Sequence, residues 1–454
     1  MVRVFIKVRT SSSAPGAGLR AYPVITGPRV PSARSKCNQH GAQWRLQCPQ
    51  RRGSAMTGHG FRAVASSRGF GPWAVATVGA RLPIAMAPLA LVLAAEAATG
   101  SYGFGGILVA AHTVGEIIGS PIMGRLADRR PSRLLLTAVL LAQGVGFGVL
   151  AWALTGAFPQ WCAVLLVAVV GVVAAGVPGA LRSRLTRMVP ERSTQPALSI
   201  DSAINQVCWG AAPVIVTAVA ASAPTQVLVV VAAPAVASCL ACLIIPSRPA
   251  EPRSPSSGPT ITDTVRTLSD VLVGTILMRV ALGVMAVAAV PAFTALNHPT
   301  VAGLALGAYA VATGIGALAL GSTRHPCVDP ARRAHRTLVL LALALTPAVL
   351  FAHNVVGLVA VFVFVGLIEG PTVVALSVAV QQRTPPEVRA TAFSVQYAAL
   401  GVGFALGSIS LGPLLTVMSP AAAMTCIGFV ILVGALILSR WKYRSPHVSR
   451  RQEQ

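Results

Sequence analysis

Long apolar runs separated by short polar segments extend from residue 73 to residue 440 of the chain. A helix rises about 1.5 Å per residue, so a hydrocarbon core of ~30 Å takes about 20 helical residues. The runs are rich in Leu, Ala and Val, and helices satisfy their own backbone hydrogen bonds in lipid. Runs of this length occupy 73–96, 103–123, 134–154, 161–181, 197–221, 225–245, 269–293, 301–322, 337–353, 355–379, 391–417 and 421–440. The pattern predicts an all-α membrane protein with twelve transmembrane helices.

The basic residues test this number of helices, because Arg and Lys occupy alternate loops. The loops after predicted helices 2, 4, 6, 8 and 10 and the tail after helix 12 contain Arg, whereas the intervening loops contain neither Arg nor Lys. Basic loops of membrane proteins stay in the cytoplasm. The alternation therefore predicts a multi-pass protein of a bacterial-type inner (plasma) membrane with both termini in the cytoplasm.

The composition indicates that most of the surface faces lipid, and the sequence excludes several classes of function. The chain is 54% hydrophobic and 11% charged, whereas about a quarter of a typical globular sequence is charged. A net charge of +24 is typical of nucleic-acid binders, but the basic residues after Trp73 lie between apolar runs, so no nucleic-acid partner is expected. The sequence contains no phosphate-binding loop, metal-ligand constellation or catalytic triad. Neither an enzyme nor a cofactor is predicted.

The chain divides into a leader, two bundles, a linker and a tail. Residues 1–72 hold twelve basic residues and no acidic residue, so they are predicted to be a disordered leader. Because Met56 is followed by a short basic segment and the first apolar run, our hypothesis is that residues 1–55 arise from an over-extended reading frame. Six-helix bundles are predicted over 73–245 and 269–440, joined by the Pro/Ser-rich linker 246–268 and followed by a basic tail over 441–454.

The two bundles resemble each other in sequence. A shift of 197 residues superimposes three glycines of predicted helix 2 and its exit on three glycines of helix 8, namely Gly106, Gly119 and Gly124 on Gly303, Gly316 and Gly321. Arg81 in helix 1 falls one residue from Arg279 in helix 7. Either Gly-rich helices align by chance, or the halves are six-helix pseudo-repeats that form a solute site between them near the membrane midplane.

The loop after predicted helix 2 has the sequence GRLADRRPSR, from Gly124 to Arg133. It resembles the signature G-x-L-A-D-R-x-G-x-R/K that the major facilitator superfamily (MFS) carries between its helices 2 and 3. The matching residues are Gly124, Leu126, Ala127, Asp128, Arg129 and Arg133, and Pro131 replaces the second glycine. The resemblance covers about residues 70–440 and implies a transporter fold with two six-helix halves.

This resemblance implies a conformational gate at Asp128. The carboxylate would face the first residues of predicted helix 11, Ala390–Thr391, whose exposed amides attract an anion. That contact would lock the outward-facing state and would break as the halves rock. The alternative is a solvated loop carboxylate that pairs with Arg129.

Predicted helix 5 contains the segment WGAAPVIVTAVAA, beginning at Trp209. It resembles the Gly-Pro antiporter motif of drug-exporting members of the superfamily through Gly210 and Pro213. Ala212 stands where that motif has a second glycine. An antiporter element and a small-residue packing face are both compatible with this segment.

Ionisable residues at membrane depth are costly and indicate function or ion pairing. The resemblance implies that predicted helices 1 and 7 line a cavity, so Arg81 and Arg279 are expected to face it or to form ion pairs. The alternative is that they reach toward the lipid headgroups. Glu116 follows His112 by four residues, so the two side chains share a helix face. Glu116 is predicted either to carry a coupling proton or to form a structural pair with Arg81.

Two further carboxylates lie in the predicted helices. Asp201 falls in the first turn of predicted helix 5 and is expected to be a helix N-terminal charge. Glu369 lies beside Gly370 and Pro371 in helix 10. It is either an exposed carboxylate at an unwound turn or a buried one bonded to freed backbone groups.

These features together favour a secondary transporter that exports small, partly apolar compounds by proton antiport and works as a monomer in the bilayer. An importer or uniporter of a metabolite is the second hypothesis. A non-transporting receptor or scaffold with a transporter-like fold is the third. Deleting residues 1–55 tests whether the basic leader has a separate role.

Overall fold

The computed structural model describes residues 59–130, 133–223, 226–245, 260–323 and 329–443. Within these ranges twelve helices are long and apolar enough to cross a membrane, and no strand is present. The helices are α1 (Phe70–Thr99), α2 (Tyr102–Arg129), α3 (Arg133–Trp152), α4 (Gln160–Ala174 and Val177–Met188), α5 (Thr194–Ser222), α6 (Val227–Ile244), α7 (Ser269–Ala295), α8 (Val301–Gly321), α9 (Pro330–Leu345), α10 (Val355–Arg383), α11 (Arg389–Leu415) and α12 (Pro420–Tyr443). The predicted all-α fold with twelve spanning helices is confirmed.

Large apolar side chains cover the outer surface of the bundle. On α2, Ile107, Val114, Ile118 and Ile122 recur at intervals of seven or four residues, and each is more than half exposed. Such a stripe on an exposed helix face is unfavourable in water and suits lipid. Three apolar clusters fill the interior behind this surface, one built mainly from the second half and two mainly from the first.

A polar first turn moves the start of α9 outside its predicted bounds. The helix begins at Pro330, seven residues before the apolar run at 337–353. Asp329 caps it by accepting a hydrogen bond from the amide of Arg332 at 3.0 Å. Side-chain capping and proline at the first helical position are both typical of helix starts. Hydropathy does not detect this start because the capping turn is polar.

The leader contains a short helix and the beginning of the first span. His59–Ala65 is helical, its Val64 is fully buried, and α1 begins at Phe70 instead of residue 73. The prediction of disorder throughout 1–72 is therefore wrong for these residues. The helix is stabilised by tertiary packing, and at seven residues it is too short to show an apolar periodicity. Residues 1–58, and with them the start hypothesis, lie outside the described residues.

The linker also contains a short helix, Ile261–Thr267. Thr260 and Asp263 bond reciprocally at its start, with the Thr260 hydroxyl accepting from the Asp263 amide and the Asp263 carboxylate accepting from the Thr260 amide. This capping box satisfies two amides that the helix leaves unbonded. The remainder of the predicted linker, 246–259, lies outside the described residues.

Glycines that the 197-residue shift superimposes make equivalent contacts in the two halves. Gly119 of α2 faces the backbone of Val172 in α4, and Gly316 of α8 faces the backbone of Leu367 in α10. A Cβ atom at either glycine would overlap that neighbouring backbone. In both the α2–α4 pair and the α8–α10 pair, a glycine therefore allows the two helix backbones to pack closely. This equivalence agrees with pseudo-repeated halves.

The two halves, α1–α6 and α7–α12, meet at one end of the bundle. This end, termed the basic end, contains the helix ends near Arg129, Arg187 and Arg383. Gly124 of α2 packs against Ser394 of α11, and Gly321 of α8 packs against Ser199 of α5. The shift of 197 residues also superimposes Gly124 on Gly321, so the contacts between the halves follow the internal repeat.

Candidate functional site

A cavity of about 380 Å³ lies between the two halves. Its volume falls in the range of small-molecule sites. Eight helices line it, with α1, α2, α4 and α5 from the first half and α7, α8, α10 and α11 from the second. The charged lining residues are Arg81, Glu116, Arg182, Arg279 and Glu369. The structure thus brings together all four charges that the sequence predicted for a cavity and adds Arg182.

The first charge cluster lies on the first-half wall of the cavity. Arg81 donates from Nη2 to Oδ1 of Asp201 at 2.7 Å and from Nη1 to the Asp201 carbonyl oxygen at 2.6 Å. Arg182 donates from Nε to the second carboxylate oxygen, Oδ2, at 2.6 Å. Arg81 is 4% exposed and Asp201 is fully buried. Arg81 therefore forms an ion pair beside the cavity and does not reach toward the headgroups.

Asp201 is not the helix N-terminal charge that the sequence predicted. α5 begins at Thr194, so Asp201 lies about two turns inside the helix, beyond its terminal amides. A buried carboxylate requires counter-charges and hydrogen bonds. The guanidiniums of Arg81 and Arg182 supply both, and Asp201 in turn holds these two side chains at the cavity wall.

The second charge cluster lies on the opposite wall. Arg279 Nη1 donates to Oε1 of Glu369 at 2.7 Å, and the Tyr309 hydroxyl donates to Oε2 of the same carboxylate. Glu369 is 1% exposed, and α10 continues as a helix through Gly370 and Pro371. The prediction of an exposed carboxylate at an unwound turn is therefore wrong. The alternative is right about the burial of Glu369 and wrong about its partners, which are side chains and not freed backbone groups.

Glu116 lines the cavity without joining either cluster. In the described part of the chain its carboxylate forms no ion pair, and its buried oxygen Oε1 has no hydrogen-bond partner. The predicted pair with Arg81 is absent, because Arg81 is bound to Asp201. His112, one turn earlier on the same face, also has a buried nitrogen, Nε2, without a partner. A carboxylate without a counter-charge is suited to bind a proton or a cationic group.

Asp128 binds the first amides of α11 at the basic end. Its Oδ1 accepts a hydrogen bond from the Ala390 amide at 3.0 Å, and its Oδ2 accepts from the Thr391 amide and hydroxyl at 2.6 and 2.7 Å. Asp128 is 5% exposed, so it is not the solvated carboxylate of the alternative prediction. An anion at a helix N-terminus satisfies amides that have no partner within the helix. The contact joins the two halves.

The other residues of the GRLADRRPSR segment surround this contact. Gly124 allows α2 and α11 to approach closely. Leu126 is partly buried and Arg129 is exposed. Arg133 donates from Nη1 to the Leu243 carbonyl oxygen at 3.1 Å, which connects the start of α3 with the end of α6.

Further bonds between the halves close the cavity toward the basic end. Gln195 of α5 donates from Nε2 to the Leu320 carbonyl oxygen of α8 at 2.6 Å. Arg182 of α4 donates from Nη1 to the Ser377 hydroxyl of α10 at 3.4 Å. Its guanidinium carbon also lies 5.7 Å from the centre of the Phe393 ring of α11. Arg182 therefore connects the first charge cluster with the closed end of the cavity.

The two-half architecture, the central cavity and the Asp128 contact are the features that the sequence motif implied. The sequence profile of the Major Facilitator Superfamily matches residues 73–297 and 271–454. The chain belongs to the Major Facilitator Superfamily. No curated protein matches the chain significantly.

Solved structures of transporters share the fold of this superfamily member. The human organic anion transporter MFSD10 (TETRAN) has a TM-score of 0.67 and 14% identity, and the match covers 83% of this chain and 99% of that one. A bacterial homologue of the iron transporter ferroportin in an outward-facing state has a TM-score of 0.67 and 14% identity, with 83% and 100% covered. The proton:xylose symporter XylE has a TM-score of 0.63 and 15% identity, with 83% and 95% covered. These likenesses establish the fold of the chain.

The antiporter-like segment of this superfamily member lies on α5 beside the cavity. Pro213 and the neighbouring Trp209 line the cavity. Gly210 is exposed, and among the described residues no atom outside the adjoining part of its own helix lies within 4 Å of the position that a Cβ would take there. Gly210 is therefore not part of a packing face in the described structure, whereas Ala212 of the same segment is fully buried. The segment also contributes to the cavity through Trp209 and Pro213.

Two residues of the charge clusters were not predicted from the sequence. The apolar run of predicted helix 4 ends at Leu181, so Arg182 falls in a basic loop by hydropathy, whereas α4 continues to Met188. Tyr309 has no charge to mark it at membrane depth. The 197-residue shift superimposes it on His112, and this correspondence is the signal that identifies it.

Proposed function

We propose that this superfamily member is a proton-coupled secondary transporter that exports small, partly apolar compounds by alternating access. The observation that carries the proposal is the unbonded oxygen of Glu116, which is buried in a cavity between two six-helix halves. The cavity is complete within one chain, so a monomer suffices for transport. The antiporter-like segment around Pro213 supports export over import.

The direction of access follows from the charge of the loops. Arg-rich loops remain in the cytoplasm, so we assign the basic end, and with it both termini, to the cytoplasmic face of the plasma membrane. On this assignment the contact of Asp128 with Ala390 and Thr391 holds the cavity closed to the cytoplasm. Rocking of one half against the other breaks this contact and exposes the cavity to the cytoplasm.

Glu116 is the carboxylate best placed to couple a proton to the substrate. Asp201 and Glu369 are already bonded to guanidiniums, whereas Glu116 has no counter-charge among the described residues. A charged carboxylate that is buried and unpaired is unstable, so a proton and a substrate group compete for it. A proton that arrives from outside displaces the substrate outward, and substrate that binds from the cytoplasm displaces the proton inward.

Everted membrane vesicles test this coupling. A panel of drugs and metabolites is added to vesicles that hold a proton gradient, and dissipation of the gradient is followed by a pH-sensitive dye. We expect a substrate to dissipate the gradient with the wild-type protein and not with Glu116→Gln. Glu96→Gln, which changes a carboxylate of α1 away from the cavity lining, is the matched control and retains the response.

Two outcomes contradict parts of the proposal. Proton flux that survives in Glu116→Gln removes the coupling role of this residue. Substrate movement without any proton flux in the wild-type protein shows a uniporter, which is the second hypothesis from the sequence. Both require that the variants are shown to be inserted in the membrane at wild-type levels.

A further inference from the structure

The charges at the cavity do not cancel locally. Two guanidiniums, Arg81 and Arg182, share the single carboxylate of Asp201, so this cluster has an excess of one positive charge. Arg279 and Glu369 form a one-to-one pair, so the opposite wall is neutral. When it is deprotonated, Glu116 supplies one negative charge that is paired with none of these groups. The cavity therefore offers one uncompensated charge of each sign at separate positions.

The positive cluster has an unused hydrogen-bond donor. Arg81 uses Nη1 and Nη2 on Asp201, and its Nε is buried and has no partner among the described residues. The side chain is 4% exposed and belongs to the cavity lining. A buried donor without an acceptor is unfavourable, and a guanidinium binds carboxylates strongly. An anionic group in the cavity beside Arg81 and Arg182 would balance the excess charge of this cluster.

The negative position has an unused acceptor. Glu116 Oε1 is buried and unbonded, and both guanidiniums of the first cluster are bound to Asp201. An ammonium group is the complement of such a carboxylate. The cavity lining also includes the aromatic residues Trp209, Tyr397 and Phe404, which suit an apolar or aromatic molecular body.

We infer that the substrate is an amphipathic zwitterion, with its anionic group on Arg81 and Arg182 and its cationic group on Glu116. A singly charged compound leaves one of the two positions uncompensated, which is unfavourable for groups that are largely buried. The inference rests on the proposed function, because it assigns the substrate class of the same cavity. It adds the anionic subsite, on which proton coupling does not depend.

Four aromatic probes with the same ring and different charges test the inference. They are para-(aminoethyl)benzoic acid as the zwitterion, its methyl ester as the cation, para-ethylbenzoic acid as the anion, and the methyl ester of that acid as the neutral compound. Binding to the purified full-length protein in lipid nanodiscs is measured by calorimetry near neutral pH. We expect the zwitterion to bind at least about tenfold more tightly than either singly charged probe, which is the effect that one charge-assisted hydrogen bond supports.

Matched variants assign each charge to its residue. In Glu116→Gln the zwitterion should lose its advantage over the anion and keep its advantage over the cation. In Arg81→Gln, where Asp201 still has Arg182 as a partner, the zwitterion should lose its advantage over the cation and keep its advantage over the anion. Arg81→Lys keeps the charge and removes Nε, so it provides a second test if Arg81→Gln is unstable. Unchanged thermal unfolding shows that a variant remains folded.

The results that would overturn this inference differ from the results that would overturn the proposed function. Equal binding of the cation and the zwitterion to the wild-type protein overturns the anionic subsite and leaves proton coupling through Glu116 intact. Absence of binding by all four probes to folded protein also overturns the inference. Conversely, proton flux that persists in Glu116→Gln vesicles removes the coupling role, while the ranking of the probes on the wild-type protein still stands.

Discussion

Replacing Asp128 with Asn tests whether its contact with α11 sets the conformation of the transporter. The carboxylate accepts bonds of 3.0, 2.6 and 2.7 Å from Ala390 and Thr391 and is 5% exposed. In Asp128→Asn the single amide oxygen can keep the two bonds to Thr391. The new NH₂ group then faces the Ala390 amide, so a donor meets a donor.

The size of the effect follows from these contacts. A hydrogen bond to a charged group contributes about 1.5–3 kcal/mol, and a negative charge at a helix N-terminus contributes about 0.3–1 kcal/mol. The substitution removes one such bond and the charge. We expect it to destabilise the state closed at the basic end by about 2–4 kcal/mol, which changes the ratio of closed to open molecules by roughly thirty- to nine-hundred-fold.

The distance between the halves at the basic end is the direct measurement. Spin labels on Arg130→Cys and Glu387→Cys, two exposed positions in opposite halves, report it by pulsed electron paramagnetic resonance in a background without native cysteines. We expect Asp128→Asn to enrich longer distances and to abolish transport while the protein remains in the membrane. Glu191→Gln, at another exposed carboxylate of the same end, is the control. A distance distribution that stays at wild type in Asp128→Asn contradicts the gate, even if transport falls.

Two further predictions concern the charge pair and the helix packing. Glu369→Gln leaves Arg279 buried without its counter-charge, so we expect a loss of about 3–5 kcal/mol in thermal unfolding. The double variant Glu369→Gln/Arg279→Gln should regain much of the lost stability. If the losses of the two single variants simply add, the two residues are not coupled. Gly316→Ala forces a Cβ into the backbone of Leu367, so the unfolding temperature should fall, whereas Gly303→Ala meets open space and should not lower it. Equal effects of the two alanines would contradict the close packing of α8 on α10.

The helices of this protein could be predicted because hydropathy is a property of consecutive residues. The predicted helix bounds are wrong where a helix begins with a polar turn, as at Pro330. They are also wrong where a basic residue ends the apolar run, as at Arg182. The leader helix His59–Ala65 could not be predicted, since packing against the bundle and not its own periodicity stabilises it. In each case the missing information is a contact with a residue distant in sequence.

The contact of Asp128 with Ala390–Thr391 could be anticipated from the GRLADRRPSR segment, because a carboxylate and an open helix N-terminus have one favourable arrangement. The charged residues inside the membrane could also be identified, because charge stands out in an apolar run. The environment of Asp201 could not, because its distance from the start of α5 depends on where the helix begins. A shift of a few residues in that start changes a helix-end charge into a buried ion-pair partner.

The sequence by itself determined the number of spanning helices, the alternation of basic loops and the identity of the cavity charges. Only the tertiary structure decided which charges pair, since Arg81 meets Asp201 from 120 residues away and Arg279 meets Glu369 from 90 residues away. Pairing depends on the rotation of each helix about its axis, and helices that are apolar on nearly all sides carry no periodicity that encodes rotation. In the described part of the chain Glu116 has no counter-charge for the same reason, because α1 directs Arg81 toward α5.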